Sequence, residues 1–141
     1  MASIKAALLA GSSAGLILGF FLKGIEVATG KAVYRLLLNV DFIPIVNQVL
    51  WPEWIEFFFH LLASFLIAAV FFLLLPKTKR PYKTAFLLTL PAFFLYFPLS
   101  ALAHKPVSEM NDIQAFAWWT AGHMLYALTL GLYGQKLKRR T

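Results

Sequence analysis

Four stretches of the chain run for about twenty residues without a formal charge, and no other feature limits the fold as strongly. They cover residues 6–22, 57–75, 84–103 and 113–135. About 20 mostly apolar residues are needed to cross a bilayer as a helix. A backbone in lipid must satisfy its own hydrogen bonds, which leaves helices as the spanning form. The expected architecture is therefore all-α. It is an integral membrane four-helix bundle in a single domain over residues 1–141, with spans near 5–23, 54–75, 83–103 and 113–135. Composition agrees: 60% of the 141 residues are hydrophobic and 13% charged, against about 45–50% and 25% in soluble domains. With no cysteine, disulfides, thiolate nucleophiles and iron–sulfur clusters are excluded.

The first span has the outline of a signal peptide, with Lys5 ahead of an apolar run and small residues at Val27, Ala28 and Thr29. Its length and its glycines favour a retained helix.

The charges sort by side. Lys5, Lys77, Lys79, Arg80, Lys83, Lys136, Lys138, Arg139 and Arg140 fall at one end of the expected spans. Lys23, Lys31, Arg35 and Lys105 fall at the other, together with all six acids, Glu26, Asp41, Glu53, Glu56, Glu109 and Asp112. The positive-inside rule then puts both termini in the cytoplasm of a multi-pass plasma (inner) membrane protein. The net charge of +7 follows from orientation and from attraction to anionic inner-leaflet lipid. The basic residues flank helices without interleaved aromatic residues, which argues against a nucleic-acid partner. Trp51, Trp54, Trp118 and Trp119 are expected to form an aromatic belt at the outer interface.

The outer loop, 24–52, carries Val33, Leu36, Leu37 and Val40 at helical spacing. This predicts a short amphipathic helix on the outer leaflet. Pro44 interrupts the next apolar run, leaving an interfacial or a re-entrant course open. The inner loop, 76–82, is tight and basic. Short similarities pair the segments beginning at Lys5 and Lys83, and His60 with His123; they fit either two parallel hairpin repeats or, more readily, chance likeness among apolar helices.

Gly11, Gly15 and Gly19 form two overlapping GxxxG steps, a flat groove for close helix approach, and Gly131 lies on a similar stripe. A neighbouring helix of the same chain, a second copy or a larger membrane protein partner can fill such a groove. Pro91 and Pro98 remove backbone donors from the third span. Thr84, Thr89 and Ser100 are placed to recover freed carbonyls.

His60 and His123 lie inside spans, where ionisable groups are costly and turn toward protein or water. Both are about 8–9 Å below the tryptophan belt at 1.5 Å per residue. Glu56 sits one turn from His60, and Ser64 and Tyr126 complete a candidate polar site. Three uses compete. The histidines are satisfied core groups; or they ligate haem or a divalent metal; or, with Glu56, they line a transport or permeation path from the outer side. No Gly-rich phosphate loop precedes a lysine and no catalytic constellation stands out. The expected role is therefore non-enzymatic: an accessory subunit or homo-oligomer acting through helix packing.

The segment Lys105-Pro106-Val107-Ser108-Glu109-Met110-Asn111-Asp112, followed by a span bearing His123-Met124-Leu125-Tyr126 and Gly131, is similar to small four-span bacterial membrane proteins of the YqhR and YagU type. The resemblance covers the last third of the chain. It implies a bacterial plasma membrane and carries over no catalytic residue.

Overall fold

The computed structural model describes residues 2–140. It is helical throughout, with no strand among the described residues: α1 is Ala2–Thr29, α2 Val33–Leu37, α3 Glu53–Thr78, α4 Pro81–Ala101 and α5 Ile113–Lys138, with one 3-10 turn at Val46–Gln48.

Local chemistry sets the ends. The helix α1 runs past Lys23 and stops at Gly30, whose φ of +74° lets its N–H reach back to the Glu26 carbonyl at 2.9 Å. That left-handed stop favours glycine. Pro52 leads into α3, which carries Glu53 and Glu56 in its first turn, where acids oppose the positive helix end. It closes on Lys79, left-handed at φ 54°. Pro81 opens α4 at a position that needs no N–H donor. The Asp112 carboxylate caps α5 through the Ala115 N–H at 3.0 Å.

Pro91 and Pro98 both lie within α4. The expected rescue of their freed carbonyls does not take this form. Thr84 donates to the Arg80 carbonyl, Thr89 to that of Ala85 and Ser100 to that of Ser108; none of these is the carbonyl four residues before a proline.

The four long helices alternate in direction. Gly11 lies opposite Ser64, Gly15 opposite His60 and Lys23 opposite Glu53, so α3 runs antiparallel to α1. On α5, Tyr133 meets Ser13, while Gly122 meets Leu18 and Leu22. The helix α1 packs chiefly on α3 and α5, and α4 packs on α5, while the α3–α4 contact is slighter. The core runs through Ala10, Ala14, Leu22, Phe71, Ala85, Tyr96, Trp119 and Leu130. One end of the bundle holds the basic residues of 77–83 and 136–140. The other, the capped end, holds the long loop and all six acids.

Three helices are long and apolar enough to cross a membrane: α1 over Ile4–Thr29, α3 and α4, with mean hydropathies of 1.7, 2.6 and 1.6. The fourth, α5, matches α3 in length at 26 residues but is less apolar. Its buried face includes Trp119, Gly122, His123, Tyr126, Gly131 and Gly134, residues that lower its hydropathy.

The short helix α2 departs from expectation in what covers it. Its apolar face does not lie outward on a leaflet. Val33 and Leu36 are fully buried against the capped end of the bundle, and Leu38 and Val40 just beyond them are largely so. Periodicity shows that a helix has an apolar face, not which surface receives it. Two tethers turn it inward. The Glu26 carboxylate accepts the Tyr34 and Arg35 backbone N–H groups, both at 3.0 Å, and pairs with the Arg35 guanidinium at 2.6 Å. Asn39 donates to the Leu99 carbonyl at 2.8 Å. Removing Glu26 as alanine is expected to speed amide exchange at Tyr34 and Arg35 about tenfold or more, since a hydrogen bond to a charged group contributes about 1.5–3 kcal/mol. Exchange followed by mass spectrometry checks this, with residues inside α4 as the unchanged reference.

Candidate functional site

The slight contact between α3 and α4 leaves a cavity of about 220 Å³ in the half of the bundle nearest the capped end. Its floor and walls come from Leu18 on α1, from His60, Ser64 and Ile67 on α3, from Thr89 and Ala92 on α4, and from Trp119, His123 and Tyr126 on α5. Leu37, Leu38, Asn39 and Val40, with Phe42 and Ile43, roof it. Phe42, Ile43 and Leu95 line it and are also exposed at 45%, 36% and 46%. The opening therefore lies at the side, between α3, α4 and the roof.

The two histidines face this one cavity. His60 Nε2 is 2.9 Å from the Gly15 carbonyl and His123 Nδ1 is 2.8 Å from the Trp119 carbonyl. A carbonyl only accepts, so those nitrogens carry the protons. In the neutral ring the lone pair then falls on Nδ1 of His60 and on Nε2 of His123. The Ser64 hydroxyl donates to the Gly11 carbonyl at 2.6 Å, and Tyr126 donates to the Ser64 carbonyl at 2.9 Å. The polar groups expected from the sequence thus gather in one place.

Glu56 does not serve His60. Its side chain, only 8% exposed, pairs with Lys105, which reaches in from the loop after α4. Glu56 also lines a second, polar cleft of about 350 Å³ on the capped end, shared with Lys23, Tyr34, Arg35, Glu53 and Lys105. Leu38 lines both spaces, so Glu56 and Leu38 form the partition between them. Lys23 pairs with Glu53 at 2.8 Å and Lys31 with Asp112 at 2.7 Å. The Asp41 carboxylate takes the His104 backbone N–H at 2.7 Å. Burial, then the hydrogen bond to Glu53, pushes the Tyr34 phenol above its ordinary range. The Lys31 ammonium, then the Ala115 N–H, holds the Asp112 carboxyl below the usual carboxylate range.

No family model, curated protein or solved structure matches this chain. The assignment of a role rests on the geometry.

The glycine groove is occupied from within. A Cβ on Gly11 would stand 2.9 Å from the Phe65 Cα, one on Gly15 2.8 Å from the Ser64 Oγ, and one on Gly19 2.6 Å from the Phe57 ring. All three partners are on α3. Gly131 packs on the Tyr82 ring of α4. Of the four tryptophans, Trp54 is exposed at 71%, and Trp51 and Trp118 are half-buried at the capped end. Trp119 does not join a belt. It is 1% exposed and its indole N–H donates to the Ala92 carbonyl at 2.9 Å, inside the bundle. An indole at an interface wants one wet edge; here a carbonyl beside Pro91 replaces the water.

Among the described residues no three His, Asp or Glu side chains converge as a metal set. The Glu56 carboxylate is engaged by Lys105.

Proposed function

We propose that the chain threads a bacterial plasma membrane four times, with both termini cytoplasmic. In the outer half of that membrane it binds a small molecule with an apolar body, without transforming it. The observation that carries this reading is the side-opening cavity, lined mostly by apolar side chains and also by His60, His123 and Tyr126. A concave, mostly apolar space with a few convergent polar groups is the usual form of a small-molecule site.

Several features support the membrane arrangement. The helix α5 lies alongside α1 and α4 at the full length of α3. Large apolar side chains point outward along the bundle, among them Leu9, Phe20, Leu66, Leu73, Phe94 and Leu132. Nine basic residues collect at one end and every acid at the other, the asymmetry that orients a chain with its basic end inside. That end suits anionic inner-leaflet lipid.

The accessory-subunit or homo-oligomer role has lost the glycine groove as its seam, because α3 fills it. A permeation path through Glu56, His60 and His123 meets a closed floor: Phe71, Ala85 and Leu130, below the cavity, are fully buried. A closed floor favours binding over passage.

The test uses Trp119, which lines the cavity. With Trp51, Trp54 and Trp118 replaced by phenylalanine, the remaining emission is its own. The heavy-atom quencher 4-bromobenzyl alcohol is expected to quench it saturably in reconstituted vesicles, and Ala92→Phe, which fills the space, is expected to weaken this about tenfold or more. Quenching that rises linearly with the quencher in the membrane and ignores Ala92→Phe would refute the binding reading.

A further inference from the structure

We infer that the cavity selects a small organic cation, a protonated amine on an aromatic or short apolar body, which pairs with Glu56 in place of Lys105. The inference rests on the binding reading above and adds the ligand's charge.

Three observations converge. First, among the described residues Glu56 is the one charged side chain, histidines aside, that lines the cavity; Lys105 lines the outer cleft and not the cavity. A ligand in the cavity therefore meets a carboxylate and no fixed cation. Second, the other polar groups lining the cavity offer acceptors. The protonated ring nitrogens of His60 and His123 are spent on the Gly15 and Trp119 carbonyls, which leaves each neutral ring an acceptor nitrogen. The Tyr126 and Trp119 donors are likewise spent on carbonyls. Third, Phe42, Phe59, Trp119 and Tyr126 give the walls aromatic faces, which attract cations.

The carboxylate is already balanced, and the balancing group is the exchangeable one. The Glu56 side chain is 8% exposed and fixed on α3, whereas that of Lys105 is 33% exposed on the loop between α4 and α5. Swinging Lys105 outward returns its ammonium to water, while an ammonium on the ligand keeps Glu56 paired. Size fits as well. An apolar cavity of about 150 Å³ holds benzene, and about 220 Å³ has room for one ring with a short aminoalkyl arm.

The experiment keeps the Trp119-only protein and compares three quenchers of nearly one size: 4-bromobenzylamine, protonated at neutral pH, 4-bromobenzyl alcohol and 4-bromobenzoate. The amine is expected to saturate at concentrations about tenfold lower than the alcohol, the size of effect expected of a hydrogen bond to a charged group, with the benzoate weakest. Glu56→Gln should remove the amine's advantage while the alcohol still quenches, which also reports that the variant is folded. Lys105→Gln, which removes the internal competitor, should tighten the amine several-fold. If Glu56→Gln does not fold, the Lys105→Gln result decides alone. A benzoate that binds more tightly than the amine, or a Lys105→Gln variant that binds the amine more weakly, overturns the inference. An amine no better than the alcohol overturns it too, yet leaves the cavity as a binding site; no saturable quenching by any of the three refutes both.

Discussion

Gly11→Leu is expected to destabilise the protein by about 3–5 kcal/mol. The new Cβ would stand 2.9 Å from the Phe65 Cα, and 3.2 Å from both the Ala68 Cβ and the Ser64 carbonyl. Backbone is on the other side, so no rotamer change relieves the clash and α3 has to move away from α1. Two bonds across the seam then stretch together, Ser64 to the Gly11 carbonyl and His60 to the Gly15 carbonyl. Overpacking costs about 1–3 kcal/mol and each neutral hydrogen bond about 1. A glycine on the same helix supplies the contrast. Nothing lies within 4 Å of a Cβ on Gly24, so Gly24→Ala is expected to gain about 0.5–1 kcal/mol from backbone entropy. Unfolding in mixed micelles, followed by helical circular dichroism, reads both signs.

The second large effect is expected at Lys105. Lys105→Met leaves the Glu56 carboxylate, 8% exposed, without its cation. Stranding a buried charge costs about 3–5 kcal/mol. Lys105 is a third exposed, so part of its attraction is screened by water, and the expected loss is about 2 kcal/mol. Adding Glu56→Gln to the same chain should restore most of it, because the stranded charge is gone. The double-mutant cycle isolates this coupling. Two losses that simply add would mean that the pair is not formed in the membrane.

Helical class and charge polarity were legible because each depends on local pattern, above all the charge-free runs; the helix ends were less so, since α1 runs on past Lys23 to Thr29. The gathering of His60, Ser64, His123 and Tyr126 was legible from depth along the helices and from the small-residue stripes. Partners across space were not. Glu56 is four residues from His60 and 49 from Lys105, and the nearer group looked the better partner. Helix direction decided otherwise, since His60 turns to the α1 backbone that Gly15 brings close. Pairing with Trp118 suggests an interface place for Trp119, although its backbone serves His123 inside the bundle. Its spacing from His123 and Tyr126 already placed it on the inward face of α5. The covering of α2 was hidden because Glu26 and Asn39, which turn it inward, act through contacts eight and sixty residues away. Hydropathy marks three helices as able to cross a membrane where charge-free length predicts four; α5 is the difference, for its buried face carries His123, Trp119, Tyr126 and three glycines.

The number of crossings is the claim on which the outer position of the cavity depends. With no native cysteine, single cysteines can be placed directly at Lys79, Glu109 and Arg140 and exposed to a membrane-impermeant maleimide on intact cells. Four crossings with both termini inside predict labelling at Glu109→Cys alone, with Lys79→Cys and Arg140→Cys labelled only after the membrane is opened. Labelling of Arg140→Cys on intact cells, with Lys79→Cys still protected, would mean that α5 does not cross and would contradict the account.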